Sequence, residues 1–174
     1  MTGAMTIERK LTASLRAAIM TMLLMAFMAA SAQSALAAGP FTPTDKDKCA
    51  VCGMFVKSYE KWVSQVVFKD GTYAFFDGPK DMFKYYLDIP KYNKGKTRDD
   101  VEEVYVTEYY GAKVVRARDV VFVIGSDAVG PMGKEIVPVM PESAKTFLKD
   151  HKGHKALKFE EVTLADIPSM KMTH

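Results

Sequence analysis

The sequence predicts an α+β fold made of two similar ββαβ modules in one compact domain. Three observations carry this expectation. Alternating or β-branched apolar runs of strand length occur in two groups, each group contains one segment of helical period, and the order strand–strand–helix–strand runs twice between residues 49 and 168. The repeat is one of topology rather than of residues.

Residues 1–37 read as a signal peptide that precedes this domain. Arg9, Lys10 and Arg16 give a positive start, Ala17 to Ala30 is an uncharged apolar run, and Ala35-Leu36-Ala37 is a small-x-small cleavage pattern. The run is shorter than the ~20 apolar residues of a spanning helix. An uncleaved leader that holds the protein at the membrane is the alternative. The cleavage region has no cysteine for lipid attachment. Cleavage removes 37 of 174 residues and leaves 137, enough for a domain that buries ~70% of its chain surface. It also takes three of the 24 basic residues and one of the 21 acidic ones, so the mature chain is near neutral. That balance gives no argument for nucleic acid or a membrane surface as partner. The expected compartment is the periplasm.

Residues 38–48 are polar and proline-bearing, a flexible lead-in. The first module, about 49–110, then places a strand at Trp62 to Phe68 and a hairpin turn at Asp70-Gly71. The return strand is Tyr73 to Phe76. Asp77-Gly78-Pro79 starts a helix with Asp77 as its expected N-cap, and Met82, Phe83, Tyr86 and Leu87 share one face. Tyr92 to Asp100 lacks apolar periodicity and reads as a loop, and Val104 to Tyr110 reads as the third strand. The second module, about 111–168, repeats this with strands at Val120 to Ile124 and Glu135 to Val139. Its helix is expected at Pro141 to Asp150, with Ala144, Phe147 and Leu148 inward, and its closing strand at Ala156 to Val162. Where the first module turns on Asp-Gly, the second has the long glycine-rich loop Gly125 to Gly133. Residues 169–174 form an expected disordered tail.

The chemistry concentrates in Cys49-Ala50-Val51-Cys52-Gly53-Met54, which holds both cysteines and a methionine within six residues. Three readings are open. An exported C-x-x-C pair suits a static disulfide. A thioredoxin-like thiol oxidoreductase needs C-x-x-C at a helix start after a strand, a context missing here because Gly53 interrupts the run. A metal site is the third. Structural zinc wants four ligands, and the three histidines, His151, His154 and His174, all lie in the last quarter with no H-x(3–5)-H spacing. Cu(I) needs only two or three soft donors, and that reading accounts best for Met54.

Met132 lies in Gly130-Pro131-Met132-Gly133 and is either an exposed loop residue or a further donor brought to the cysteines. Met82 and Met140 read as core filling, and Met170, Met172 and His174 as tail residues. His151 and His154 fall near the end of the second helix. No Ser/His/Asp set, phosphate loop or paired carboxylates stand out, so an enzyme is not expected.

With its export leader, C-x-x-C-G-M at 49–54, Phe75-Phe76-Asp77, and G-P-M-G-x-E-x-V-P from Gly130 to Pro138, the chain resembles the NosL-type accessory proteins over roughly Lys48 to Ile167. These are copper chaperones that help deliver copper to nitrous oxide reductase. The resemblance implies two ββαβ modules and a Cu(I) site at the C-x-x-C-G-M sulfurs of Cys49, Cys52 and Met54; the long glycine-bearing loop, together with the resemblance, makes Met132 the expected fourth donor. It also implies a membrane ABC-type complex as docking partner, with nitrous oxide reductase or a similar copper enzyme as client. Many members are lipoproteins; this leader has no lipobox cysteine.

Overall fold

The computed structural model describes residues 39–169. The expected signal peptide, and Met170, Met172 and His174 of the expected tail, lie outside them. No helix among the described residues is long and apolar enough to cross a membrane.

The first sheet is antiparallel, and its strands β1 (Ser64–Phe68), β2 (Tyr73–Phe76), β3 (Val101–Thr107) and β4 (Val114–Arg116) lie in the order β2-β1-β3-β4. All five residues of β1 are buried, including the polar Ser64 and Gln65. A buried amide needs partners. Gln65 finds them in the chain before the cysteines, accepting from the Phe41 N–H at 2.8 Å and donating to its carbonyl at 3.1 Å. Phe41 also stacks on Tyr73 at 4.1 Å, so the chain is pinned to the sheet at Phe41.

The turn between β1 and β2 falls where Asp70-Gly71 predicts it. Gly71 takes φ +81°, and the Asp70 carboxylate accepts from the Thr72 N–H and hydroxyl. Helix α1 (Pro79–Leu87) follows β2, with Met82, Phe83 and Tyr85 inward and Leu87 only half-buried. One expectation is corrected here. Gly78, not Asp77, is the N-cap, and no side chain of its own segment caps the helix. A short helix α2 (Ile89–Tyr92) leads into the segment read as a loop, which ends in a 3-10 turn at Arg98–Asp100. The third strand starts and ends three residues earlier than the sequence suggests.

The second sheet comprises β5 (Val121–Ile124), β8 (Val137–Val139) and β9 (Lys155–Leu157), ordered β8-β5-β9. Its helix α3 (Ala144–Asp150) follows a 3-10 turn at Pro141–Ser143 and buries Phe147. In both sheets the strand before the helix and the strand after it flank a central one, which is the predicted ββαβ order seen twice. Pro138 fits β8 because that strand is an edge. The expected closing strand is shorter than read, since Phe159–Glu161 forms a 3-10 turn that returns Phe159 to the core. The glycine-rich loop is not irregular either. Strands β6 (Val129–Gly130) and β7 (Gly133–Lys134) pair as a small ribbon with Pro131-Met132 at its tip.

The two modules share one core. Phe83 of α1 meets Phe122 of β5 edge-on at 4.8 Å and Phe159 at 5.4 Å, and Ile136 and Val162 join the same cluster. A smaller cluster of Val123, Val137, Val139 and Phe147 lies on the other face of the second sheet. Phe122→Ala should therefore cost about 3–5 kcal/mol of stability by opening a cavity between modules. Chemical denaturation followed by tryptophan fluorescence and circular dichroism checks this, with both probes expected to report one transition.

Candidate metal centre

The cysteine motif is a closed loop fastened to β2. The Cys49 N–H donates to the Met54 carbonyl at 2.8 Å, and the Gly53 N–H returns to the Cys49 carbonyl at 2.9 Å. Gly53 takes φ +79°, a region residues with a Cβ rarely adopt. The Ala50 N–H donates to the Phe75 carbonyl at 2.9 Å, so the loop extends the free edge of β2. Two residues beyond Phe75 comes Asp77, and Asp81 lies on the first turn of α1. Attaching the loop at Phe75 thus sets the cysteines against both aspartates.

One ligand atom from each of Cys49, Cys52, Asp77 and Asp81 lies within 4.8 Å of every other. Cys49, Asp77 and Asp81 are buried, Cys52 is half-buried, and both cysteines are free thiols. The Cys49 S–H donates to Asp81 Oδ2 at 3.6 Å. Asp81 Oδ1 takes the Lys84 ammonium at 2.7 Å, while Asp77 Oδ2 has no hydrogen-bond partner. An orphaned buried carboxylate oxygen costs stability unless something later binds it.

The same surroundings shift both thiols. Burial pushes the Cys49 thiol far above its ordinary range, and the neighbouring Asp77 carboxylate adds to this. The main-chain N–H groups of Cys52, Asp77 and Val51 pull the other way. The Cys52 thiol is raised too, by burial first and then by the charges of Asp77 and Asp81, against the Met54 N–H and the Cys49 side chain. Without a cation the pair is held protonated, while the nearby main-chain N–H groups favour the Cys49 thiolate once its proton leaves.

Met54 is half-buried, and its carbonyl closes the cysteine loop. Met132, also half-buried, is held through its own carbonyl, which accepts from the Lys80 ammonium at 2.7 Å. Lys80 directly precedes Asp81, so the ribbon tip is moored to the helix turn that carries the carboxylate. His151 instead stacks on Phe147 at 4.2 Å and meets Asp127 at 3.1 Å, while His154 packs over Gly125. Neither is among the groups gathered at the cysteines.

The sequence reading missed Asp77 as a site group and Asp81 altogether. The available signal was their spacing: two aspartates four apart at a helix start, directly after the strand to which the cysteine loop attaches. If the acidic pair is held under strain, Asp77→Asn should stabilise the metal-free reduced protein by on the order of 1 kcal/mol, a rise of a few degrees in Tm. Thermal melting under reductant and chelator measures it; a lowered Tm would mean that Asp77 has a structural role after all.

The profile of the NosL family matches residues 40–167, most of the chain. The crystal structure of the copper chaperone NosL from Shewanella denitrificans is similar, with a TM-score of 0.61 and 27% sequence identity. That similarity covers 73% of this chain and 97% of that one. No curated protein sequence gives a significant match. The chain belongs to the NosL family.

Proposed function

We propose that this NosL-family protein is a periplasmic copper carrier without turnover of its own. In this reading it holds Cu(I) through Cys49, Cys52, Met54 and Met132. It passes the ion to a membrane ABC-type complex and a client copper enzyme, nitrous oxide reductase or one like it. The observation that carries the reading is the pair of free, desolvated thiols set beside two carboxylates with an unpartnered oxygen. Such a group is stable when a cation replaces the thiol protons. Soft sulfur donors favour Cu(I) among candidate ions, and the similar Shewanella protein carries the description copper chaperone.

The thiol oxidoreductase alternative needs a thiolate at neutral pH, which a depressed pKa supplies. Here both thiols are pushed up. A static disulfide would leave the unpartnered Asp77 carboxylate oxygen beside it without a role. The carboxylates do favour a second reading, a divalent ion such as Zn(II), since oxygen donors suit harder ions.

Anaerobic titration of the reduced protein against chromophoric Cu(I) chelators decides among these. One tight equivalent, with Zn(II) much weaker, is expected; equal affinities would favour the divalent reading, and no copper binding would sink the carrier. Cys52→Ser should remove most of the affinity, because a hydroxyl does not supply a soft anionic donor. The pH dependence has a definite sign. With both thiols protonated in the free protein, binding releases protons, so apparent affinity should rise from pH 6 to 8. The slope is about tenfold per pH unit for each proton released. A flat profile would mean that the thiols are not the ligands.

A further inference from the structure

We propose that Lys80 and Glu135 are positioning residues for the copper site, acting together as a latch that fixes the Met132 thioether donor over the cysteine loop. The proposal rests on the reading of Met132 as a ligand and deepens it.

Lys80 is almost fully buried at the second position of α1, where the positive end of the helix disfavours a cation. Among the described residues its ammonium is in hydrogen-bond contact with no carboxylate. It spans instead to the carbonyls of Met132 at 2.7 Å and Lys134 at 3.1 Å, one on each side of Gly133. A desolvated ammonium is costly to bury, and these two contacts are what its position achieves.

Glu135 makes the reciprocal connection. Its side chain is buried, and Oε1 accepts from the Lys80 N–H at 2.6 Å and from its own neighbour Ile136 at 3.0 Å. It serves α1 as the cap that Asp77 does not supply, from a strand connection 55 residues further along the chain. The fit is close on both sides. A Cβ at Gly78 would stand 2.5 Å from Glu135 Oε2, and one at Gly130 would stand 3.1 Å from the same carboxylate. Gly78, Glu135 and Gly130 therefore form one interlocked stack. It joins the ribbon that carries Met132 to the helix turn that carries Asp81.

A ribbon of two residue pairs has little stability of its own. Without the latch, Met132 would sit on a free hairpin tip and bring the ordering cost of that hairpin to every copper-binding event. Groups behind a ligand that fix its orientation are worth about 10–100-fold in metal affinity.

The test compares Lys80→Met, Met132→Leu and the double variant in the full reduced protein. Cu(I) affinity is read by chelator competition and sulfur coordination by copper K-edge absorption. Each single variant should weaken Cu(I) by about 10–100-fold and lose one sulfur scatterer. The double variant should be no weaker than Met132→Leu alone. If Met132→Leu weakens binding and Lys80→Met does not, the latch is overturned while the Met132 reading survives. Additive losses would overturn it too. Unchanged binding in Met132→Leu removes Met132 from the ligand set, and this proposal with it. Should Lys80→Met fail to fold, Gly130→Ala, which crowds Glu135 from the exposed ribbon, decides by the same readouts; an intact sulfur count there rejects the latch.

Discussion

Burying Asp77 and Asp81 beside two thiols is the constraint from which the rest of the site follows. Each of the four groups is negative when ionised, and Lys84 is the ammonium that meets them, through Asp81 alone. In a poorly solvated pocket such a cluster relieves itself by keeping protons, so both thiols are raised. It can also relieve itself by taking a cation. The fold makes both states available, because main-chain N–H groups near Cys49 favour its thiolate against the burial that opposes it. A monovalent ion offsets only part of the charge. The same carboxylates that would draw it in would then limit how many protons leave with its arrival, which suits the carrier proposed above.

Holding those groups together is a matter of where the chain is pinned. The C-x-x-C-G-M loop has no secondary structure to steady it beyond its own closure and its hydrogen bond to Phe75. Phe75 in turn is fixed by β1, the fully buried central strand, through the Gln65–Phe75 pairing. Strand register therefore reaches the site directly. A one-residue slip of β2 would turn Phe75 outward and carry Asp77 away from the sulfurs.

The local part of this was legible in the sequence and the long-range part was not. Soft donors in a short glycine-bearing motif point to a metal because the chemistry is all in one stretch. The Asp-Gly turn, the amphipathic helix and the doubled ββαβ order are likewise decided by neighbours in the chain. Asp77 was misread as a cap because an aspartate before Gly-Pro satisfies the local rule. The rule was overridden by Glu135, whose carboxylate arrives through tertiary packing that no helix-start pattern records. Lys80 was invisible for the same reason: a lysine early in a helix looks solvated, and only the ribbon folding over it shows the ammonium to be buried.

That override explains how two ββαβ modules of like topology came to do different work. In the first module the hairpin after the central strand is a tight turn, and the chain spends its chemistry before and after the hairpin, at the cysteines and the aspartates. In the second, the corresponding connection grows into β6 and β7, and their turn reaches across to the first module's helix. The distant motifs at 75–79 and 130–138 then become halves of one contact. Gly78 has no room for a side chain because Glu135 fills it, and Gly130 is crowded by the same carboxylate. Each glycine would look like ordinary turn punctuation if read alone. Together they mark the plane on which the two modules meet at the start of α1.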